Sequence, residues 1–282
     1  MGTLRTATSG SHIETEHDHL LERLLRRGEE LSERRPDEVL KGDYSEKAVE
    51  LARRNWRKRM VHEHDSAAVF TNLVPQMMAA EAPLDFKTVV TRCGLDELRH
   101  AGLCGQVVEF LGGEAEAEAD LETRALPEHP DVDRFQAALR NVVFASCLSE
   151  TVSMALLTAE REHVEEPFID RVLKQLAGDE SLHARLGWVY LAECIEAEPE
   201  RSREALVDYL PVAFRGFENE MLGAMPLGNA PDELLEEARK LGFSESARAR
   251  PILFDTIHEA ILPRLQEFGL SAADAWDERN EL

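Results

Sequence analysis

The chain has 282 residues, 43% of them hydrophobic, with 32 basic against 55 acidic side chains and a net charge of −23. That length supplies a sizeable core, and so acidic a balance argues against a nucleic-acid or anionic-membrane surface. Few aromatic residues and abundant Ala, Leu, Glu and Arg favour helix over sheet, so an all-α fold is expected.

Residues 1–16 are polar and expected to be flexible, and Met1 to His12 lacks the apolar centre of a secretion signal. No run of about 18 apolar residues is found, so no membrane span is expected. Residues 17–35 read as a charged amphipathic helix ended by Pro36. Two helical hairpins are then expected, over about 44–112 and 131–197. The first opens with a seam of Trp56, Met60, Glu63, Ala67, Phe70 and Val74, and turns at Glu81-Ala82-Pro83. It returns through Phe86, Val90, Cys93, Glu97, His100, Cys104, Val107 and Leu111. Gly112-Gly113 and the acidic stretch Glu114–Pro130 form a long crossover. The second hairpin carries Leu139, Val143, Ser146, Glu150, Ser153 and Leu157, and turns near Glu162–Pro167. It returns through Ile169, Leu173, Leu176, Glu180, His183, Gly187, Tyr190 and Cys194. Such alternating three- and four-residue steps mark the buried seam of a helical bundle. Further helical patterns lie near 201–222, 231–241 and 244–268, with breaks at Pro226–Pro231, Gly242 and Pro251. One domain over 17–270 results, with its core at 44–197, a C-terminal elaboration at 198–270 and a polar tail at 271–282.

Two copies of one short pattern carry the chemistry: Asp96-Glu97-Leu98-Arg99-His100 and Asp179-Glu180-Ser181-Leu182-His183. On a helix, positions three apart lie on nearly the same face, so each Glu-x-x-His aims a carboxylate and an imidazole at one point. Glu63 precedes Glu97 by 34 positions and Glu150 precedes Glu180 by 30, so each pair ends level across its hairpin. An ionised carboxylate in an apolar seam costs several kcal/mol unless it is paired or metal-bound. Four carboxylates and two imidazoles form a ligand set suited to two iron or manganese ions.

In these motifs and their upstream glutamates the chain resembles the ferritin-like diiron-carboxylate superfamily, over roughly Ser45 to Glu196. The resemblance implies a ferritin-like four-helix bundle with a dinuclear site of Glu63, Glu97, His100, Glu150, Glu180 and His183. It further implies that Asp96 and Asp179 accept hydrogen bonds from the ligand histidines' other nitrogens. With Leu182 where the first copy has Arg99, an arginine-mediated partner contact is expected on one side only. The implied activity is that of a dioxygen-dependent diiron oxygenase or oxidase acting on a small organic substrate. Its cofactor would be Fe/Fe, with Mn/Fe as the alternative. No flavin or nicotinamide fingerprint is present, so electrons would come from an external donor or the substrate, and a homodimer is compatible with the pattern.

Other residues were weighed. Cys104, Ser146, Ser153 and Gly187 are small side chains beside the ligands, read either as substrate volume or as close helix packing. Tyr190 reads as a core tyrosine, with a redox role as the lesser alternative. His258 is a candidate seventh ligand from the C-terminal helices. Leu176 stands where some diiron N-oxygenases place an extra histidine, which counts against that activity. Four cysteines without a Cys-x-x-Cys pair exclude rubredoxin-type and zinc-ribbon sites and point to a reduced, cytoplasmic compartment. The rival functions are a ferroxidase, peroxidase or iron-handling protein of ferritin or rubrerythrin type, and a metal-stabilised helical scaffold.

Overall fold

The three- and four-residue spacing is realised as four long helices in the computed structural model, which describes residues 2–5, 38–119, 122 and 125–281. Helix α1 (Glu46–Ala79) starts where Ser45 Oγ accepts from the Ala48 amide at 3.3 Å. Its chain reverses through Glu81, at φ 56°, into α2 (Leu84–Phe110), entered from Pro83. Helix α3 (Arg134–Arg161) begins with a capping box. Asp133 accepts from the Gln136 amide at 3.0 Å, and the Gln136 side chain accepts from the Asp133 amide at 3.4 Å. Helix α4 (Pro167–Ala197) opens on Pro167, whose missing N–H costs nothing in a first turn. Both hairpins therefore turn where the prolines and polar residues predict.

The chain is predominantly helical and all-α in class, with one small departure. Strand β1 (Gly2–Arg5) pairs antiparallel with β2 (Glu116–Ala119), Gly2 opposite Ala119 and Arg5 opposite Glu116. The crossover thus contributes a strand, and part of the stretch expected to be flexible is its partner. The amphipathic helix expected at 17–35 lies outside the described residues.

Helix α3 departs from regular α geometry. Val143–Glu150 is wound as a π-helix, in which Ser149 Oγ donates to the carbonyl of Phe144 at 3.2 Å. The wider winding shifts the side chains that follow relative to a regular helix, and it ends on Glu150. This helix also contains a window apolar and long enough to cross a bilayer, but 56% of that window is buried inside the fold. Its apolarity is accounted for as a core helix with neighbours on most sides.

After α4 come α5 (Pro199–Val207), α6 (Tyr209–Ala224), α7 (Asp232–Arg239) and α8 (Ser246–Thr256). Helix α8 runs on through a π-helical turn, Ile257–Ile261, into Leu262–Glu267. Pro251 was expected to break the chain and instead lies inside α8. The stretch read as a polar tail carries α9 (Ala272–Glu278), whose Ala272, Ala275 and Trp276 are buried. Two short apolar residues and one indole were too few to read as a periodic pattern, yet they suffice to dock one helical face. Gly242 is a break as expected. At φ 76° its Cβ would meet the Trp56 ring at 2.8 Å, and Trp56 Nε1 donates to the Leu241 carbonyl at 2.9 Å.

The apolar interior falls into two clusters. One gathers Phe70, Leu148, Leu186 and Tyr190 with the C-terminal Phe214, Ile257 and Trp276. The other gathers Trp56, Met60, Leu103, Phe168, Leu173 and Leu176. Along α1, α2 and α4, one side of the ligand glutamate feeds the first cluster and the other side the second, while on α3 Val152 still belongs to the first and Leu157 to the second. Each fully buried large side chain contributes about 1.5–3 kcal/mol. What interrupts this core is a polar layer across its middle.

Candidate metal centre

That layer brings together all six residues singled out by the motifs. Glu63, Glu97, His100 and Glu180 form one group whose ligand atoms lie within 4.8 Å of one another; Glu97, Glu150, Glu180 and His183 form a second. All six side chains are buried. Glu97 and Glu180 belong to both groups. Each of the four helices contributes one glutamate, and the histidines sit one turn beyond Glu97 and Glu180.

Both imidazoles present Nδ1 to the carboxylates. His183 Nδ1 lies 3.0 Å from Glu97 Oε1 and 3.0 Å from Glu180 Oε2. His100 Nδ1 lies 3.4 Å from Glu63 Oε2, 3.7 Å from Glu97 Oε2 and 3.5 Å from Glu180 Oε1. Each Nε2 turns to an aspartate of the other motif. Asp179 Oδ2 is 3.1 Å from His100 Nε2, whereas Asp96 Oδ2 is 3.7 Å from His183 Nε2, beyond hydrogen-bonding distance. The two aspartates therefore stand behind the histidines in crosswise fashion.

Arg99 closes this outer layer. It is buried, pairs through Nη2 with Asp179, and lies 3.4 Å from Asp96 Oδ1. The arginine expected to reach a partner points inward instead, because two buried carboxylates need a cation more than the surface does. Two further donors were missed in the sequence. Arg92 Nε donates to Asp96 at 3.1 Å and Gln175 Nε2 donates to Asp179 at 2.9 Å. Each sits four residues before its aspartate, and that spacing was a legible signal.

The charges are tightly coupled. Burial alone would depress the histidines. Asp179, Glu63 and Glu97 nevertheless hold His100 well above its ordinary range, and Glu180 and Asp96 do the same for His183. Burial, reinforced by Glu180 and Glu97, pushes the Glu150 carboxyl well up. Burial opposes ionisation of Asp179 too, but His100, Arg99 and Gln175 hold it well below the usual carboxylate range. A bound cation would take over the charge balance that protons on imidazole and carboxyl otherwise provide.

The residues fit a metal ion. Both oxygens of Glu97, Glu180 Oε2, His100 Nδ1 and both ring nitrogens of His183 are buried without a hydrogen-bond partner. Orphaned polar atoms of this kind are costly unless something binds them. The donor set is oxygen and imidazole. Burial pushes up the nearby thiols Cys93 and Cys104, and neither joins a ligand group. These are buried Glu/His clusters able to hold a metal ion.

The other candidates fare differently. A Cβ on Gly187 would meet Ser146 Cβ at 2.5 Å and the Cys147 amide nitrogen at 2.9 Å. Gly187 and Ser146 therefore mark close contact of α4 with the π-helical turns, the second of the two readings that these small residues allowed. Cys104 is fully buried among apolar neighbours, while Ser153 is half-buried. Tyr190 is a core residue, edge-on to Phe86 at 5.1 Å, its hydroxyl pushed up by burial. His258 is exposed on the π-helical turn that follows α8, with its ring 5.6 Å from Trp276. It joins neither ligand group, because the C-terminal helices pack on the apolar cluster instead of the polar layer.

Comparison of the chain with family models, with curated proteins and with solved structures found no match. The ferritin-like resemblance therefore rests on the sequence motifs alone.

Proposed function

We propose that the protein is a non-haem diiron oxidoreductase of ferritin-like type, a four-helix bundle that uses dioxygen to oxidise a small organic molecule. The observation that supports this reading is the pair of overlapping carboxylate–imidazole groups that share Glu97 and Glu180 and leave buried atoms orphaned. Glu63 and His100 would complete one ion's protein ligands, and Glu150 and His183 the other's. Oxygen and imidazole donors suit iron or manganese, and carboxylates shift readily between terminal and shared binding. When bound, such a pair of ions supplies the electrons that activate dioxygen.

The chain's own residues do the rest. Asp179 accepts from His100 Nε2, so a cation that displaced the second imidazolium proton would find Nδ1 as the free nitrogen, aimed at the carboxylates. Arg99 neutralises Asp179 and Asp96 together, so the outer layer stays ionised inside a dry interior. The two apolar clusters flanking the layer exclude water from it. Four free, buried cysteines accord with a reduced, cytoplasmic setting, and an external reductant would deliver electrons.

The tight packing at Gly187 favours a second reading, an ion held for stability alone. Anaerobic loading with ferrous iron, followed by dioxygen, separates the two. The oxygenase reading expects about two irons per chain and dioxygen uptake faster than that of free ferrous iron. A loaded chain that is stabilised but consumes no dioxygen would overturn it.

A further inference from the structure

Away from the ligand cluster, one cavity joins an apolar wall to a cation that the fold holds only loosely. It holds about 400 Å³ between the end of α3 and the start of α8, and Leu156, Phe243 and Ile252 supply apolar wall. That volume falls within the range of small-molecule sites.

Its charged groups are not equivalent. Glu160 is held by Arg59 through hydrogen bonds of 3.0 and 2.6 Å, and Glu245 is paired with Arg239. Glu162 is exposed. Arg248 stands apart. Its Nη1 donates to His163 Nε2 at 3.2 Å, and its nearest carboxylate, Glu245 at 3.5 Å from Nε, is already held by Arg239. The partner at hydrogen-bonding distance is thus an imidazole and not a carboxylate. An incoming carboxylate would give the guanidinium an anionic acceptor that can take two parallel N–H bonds.

The cavity also leads toward the polar layer. Glu160, in its wall, lies on α3 in the three- and four-residue rhythm that runs back through Leu157 and Ser153 to Glu150. Arg59 lies one turn before Glu63 on α1. Helices α1 and α3 are tied at one end by Asn141 Nδ2 donating to Gln76 Oε1 at 2.7 Å, and at the other by Arg59 and Glu160. Glu63 and Glu150 lie between these ties, and at 7% and 8% exposure they are the least buried of the six. The Arg59–Glu160 pair thus stands between the cavity and the two most approachable ligands.

We propose that this cavity binds a small carboxylate with an apolar body. Arg248 and His163 take the carboxylate, and the apolar body lies along Leu156, Phe243 and Ile252 toward the Arg59–Glu160 pair. That the bound molecule is the one oxidised rests on the function proposed above; that it binds does not.

The test uses the full chain, first without metal. Straight-chain carboxylates from hexanoate to decanoate are titrated by calorimetry while the His163 side chain is followed by NMR, with octylammonium as the matched cation. At least one carboxylate binds at one per chain and perturbs His163, and Arg248→Glu weakens it about tenfold or more. Arg248 is on the surface side of the cavity, so that variant keeps its fold, checked by circular dichroism. No carboxylate binding, equal binding by Arg248→Glu, or octylammonium binding as tightly would each overturn the proposal. With iron restored, the bound carboxylate accelerates dioxygen uptake, and uptake indifferent to a saturating carboxylate would overturn the cavity's role as the substrate site. A failure of the metal reading would instead show in iron content and leave the calorimetry untouched.

Discussion

The two hairpins contribute the same three ligands apiece and support them differently. On the α1–α2 side the ligands come from regular helix, and His100 is backed at 3.1 Å by an aspartate that Gln175 and Arg99 also hold. On the α3–α4 side Glu150 comes off π-helical turns, and His183 stands 3.7 Å from an aspartate held by Arg92 and Arg99. A repeated motif has therefore not produced a symmetric site. One half is pre-oriented by hydrogen bonds, while the other relies on helical winding and looser ionic contact. Such a division suits a centre in which one ligand set is fixed and the other adjusts.

The largest effect should come from the glutamates that the halves share. Glu97 and Glu180 belong to both ligand groups, whereas Glu63 serves only the first and Glu150 only the second. Glu97→Ala or Glu180→Ala should therefore abolish binding of both ions, and Glu63→Ala or Glu150→Ala should remove mainly one. Iron per chain after anaerobic loading and desalting measures the difference. Equal losses in all four variants would show that the sharing has no consequence. The helical fold should survive, since in each variant both histidines keep another carboxylate beside them.

Much of this was legible in the sequence, for physical reasons. A charged residue on an apolar seam costs too much to be accidental, so Glu63, Glu97, Glu150 and Glu180 announced themselves, and the prolines placed both turns. The π-helix at Val143–Glu150 was not legible, because its side chains keep a spacing that also suits a regular helix. Gly187 was ambiguous. A glycine signals closeness of something, and only the fold showed Ser146 and Cys147 already there. Arg99 was misread because the motif names its neighbours in sequence, whereas Asp179 comes from another helix. His258 and α9 depended on long-range packing of the C-terminal helices, which local periodicity does not encode.

A second effect lies in the response to pH, which should reverse sign when the ions bind. In the ion-free chain His100 and His183 are raised above the ordinary 6.5, and Glu150 above the ordinary 4.5. The folded chain then holds more protons than the unfolded one, so these groups support the fold at low pH. Their support drains away as pH rises from those ordinary values through the raised ones. Asp96 and Asp179 are lowered, so their contribution is present above the ordinary 3.8 and fails only in stronger acid. As pH rises past the ordinary histidine value of 6.5, the melting temperature of the ion-free chain should fall. That of the iron-loaded chain, kept anaerobic, should fall less or rise, because the ions displace the same protons and bind more tightly as pH increases. Parallel slopes for the two forms would mean that the ions bind elsewhere.

The smallest expected effect is the one that sharpens the comparison most. Asp179 accepts from His100 within hydrogen-bonding distance, while Asp96 stands too far from His183 to do so in the ion-free chain. Removing an outer partner of a ligand histidine typically weakens metal binding by roughly 10–100-fold. Asp179→Asn should fall in that range, since asparagine keeps the shape but loses the charge that Arg99 neutralises and that favours the correct tautomer of His100. Asp96→Asn should cost less, because a contact not made in advance contributes only after the ions draw His183 into place. Competitive chelator titration of the two variants under one set of anaerobic conditions gives the ratio directly. If Asp96→Asn loses as much affinity as Asp179→Asn, the asymmetry belongs to the ion-free state alone, and the loaded centre is symmetric after all.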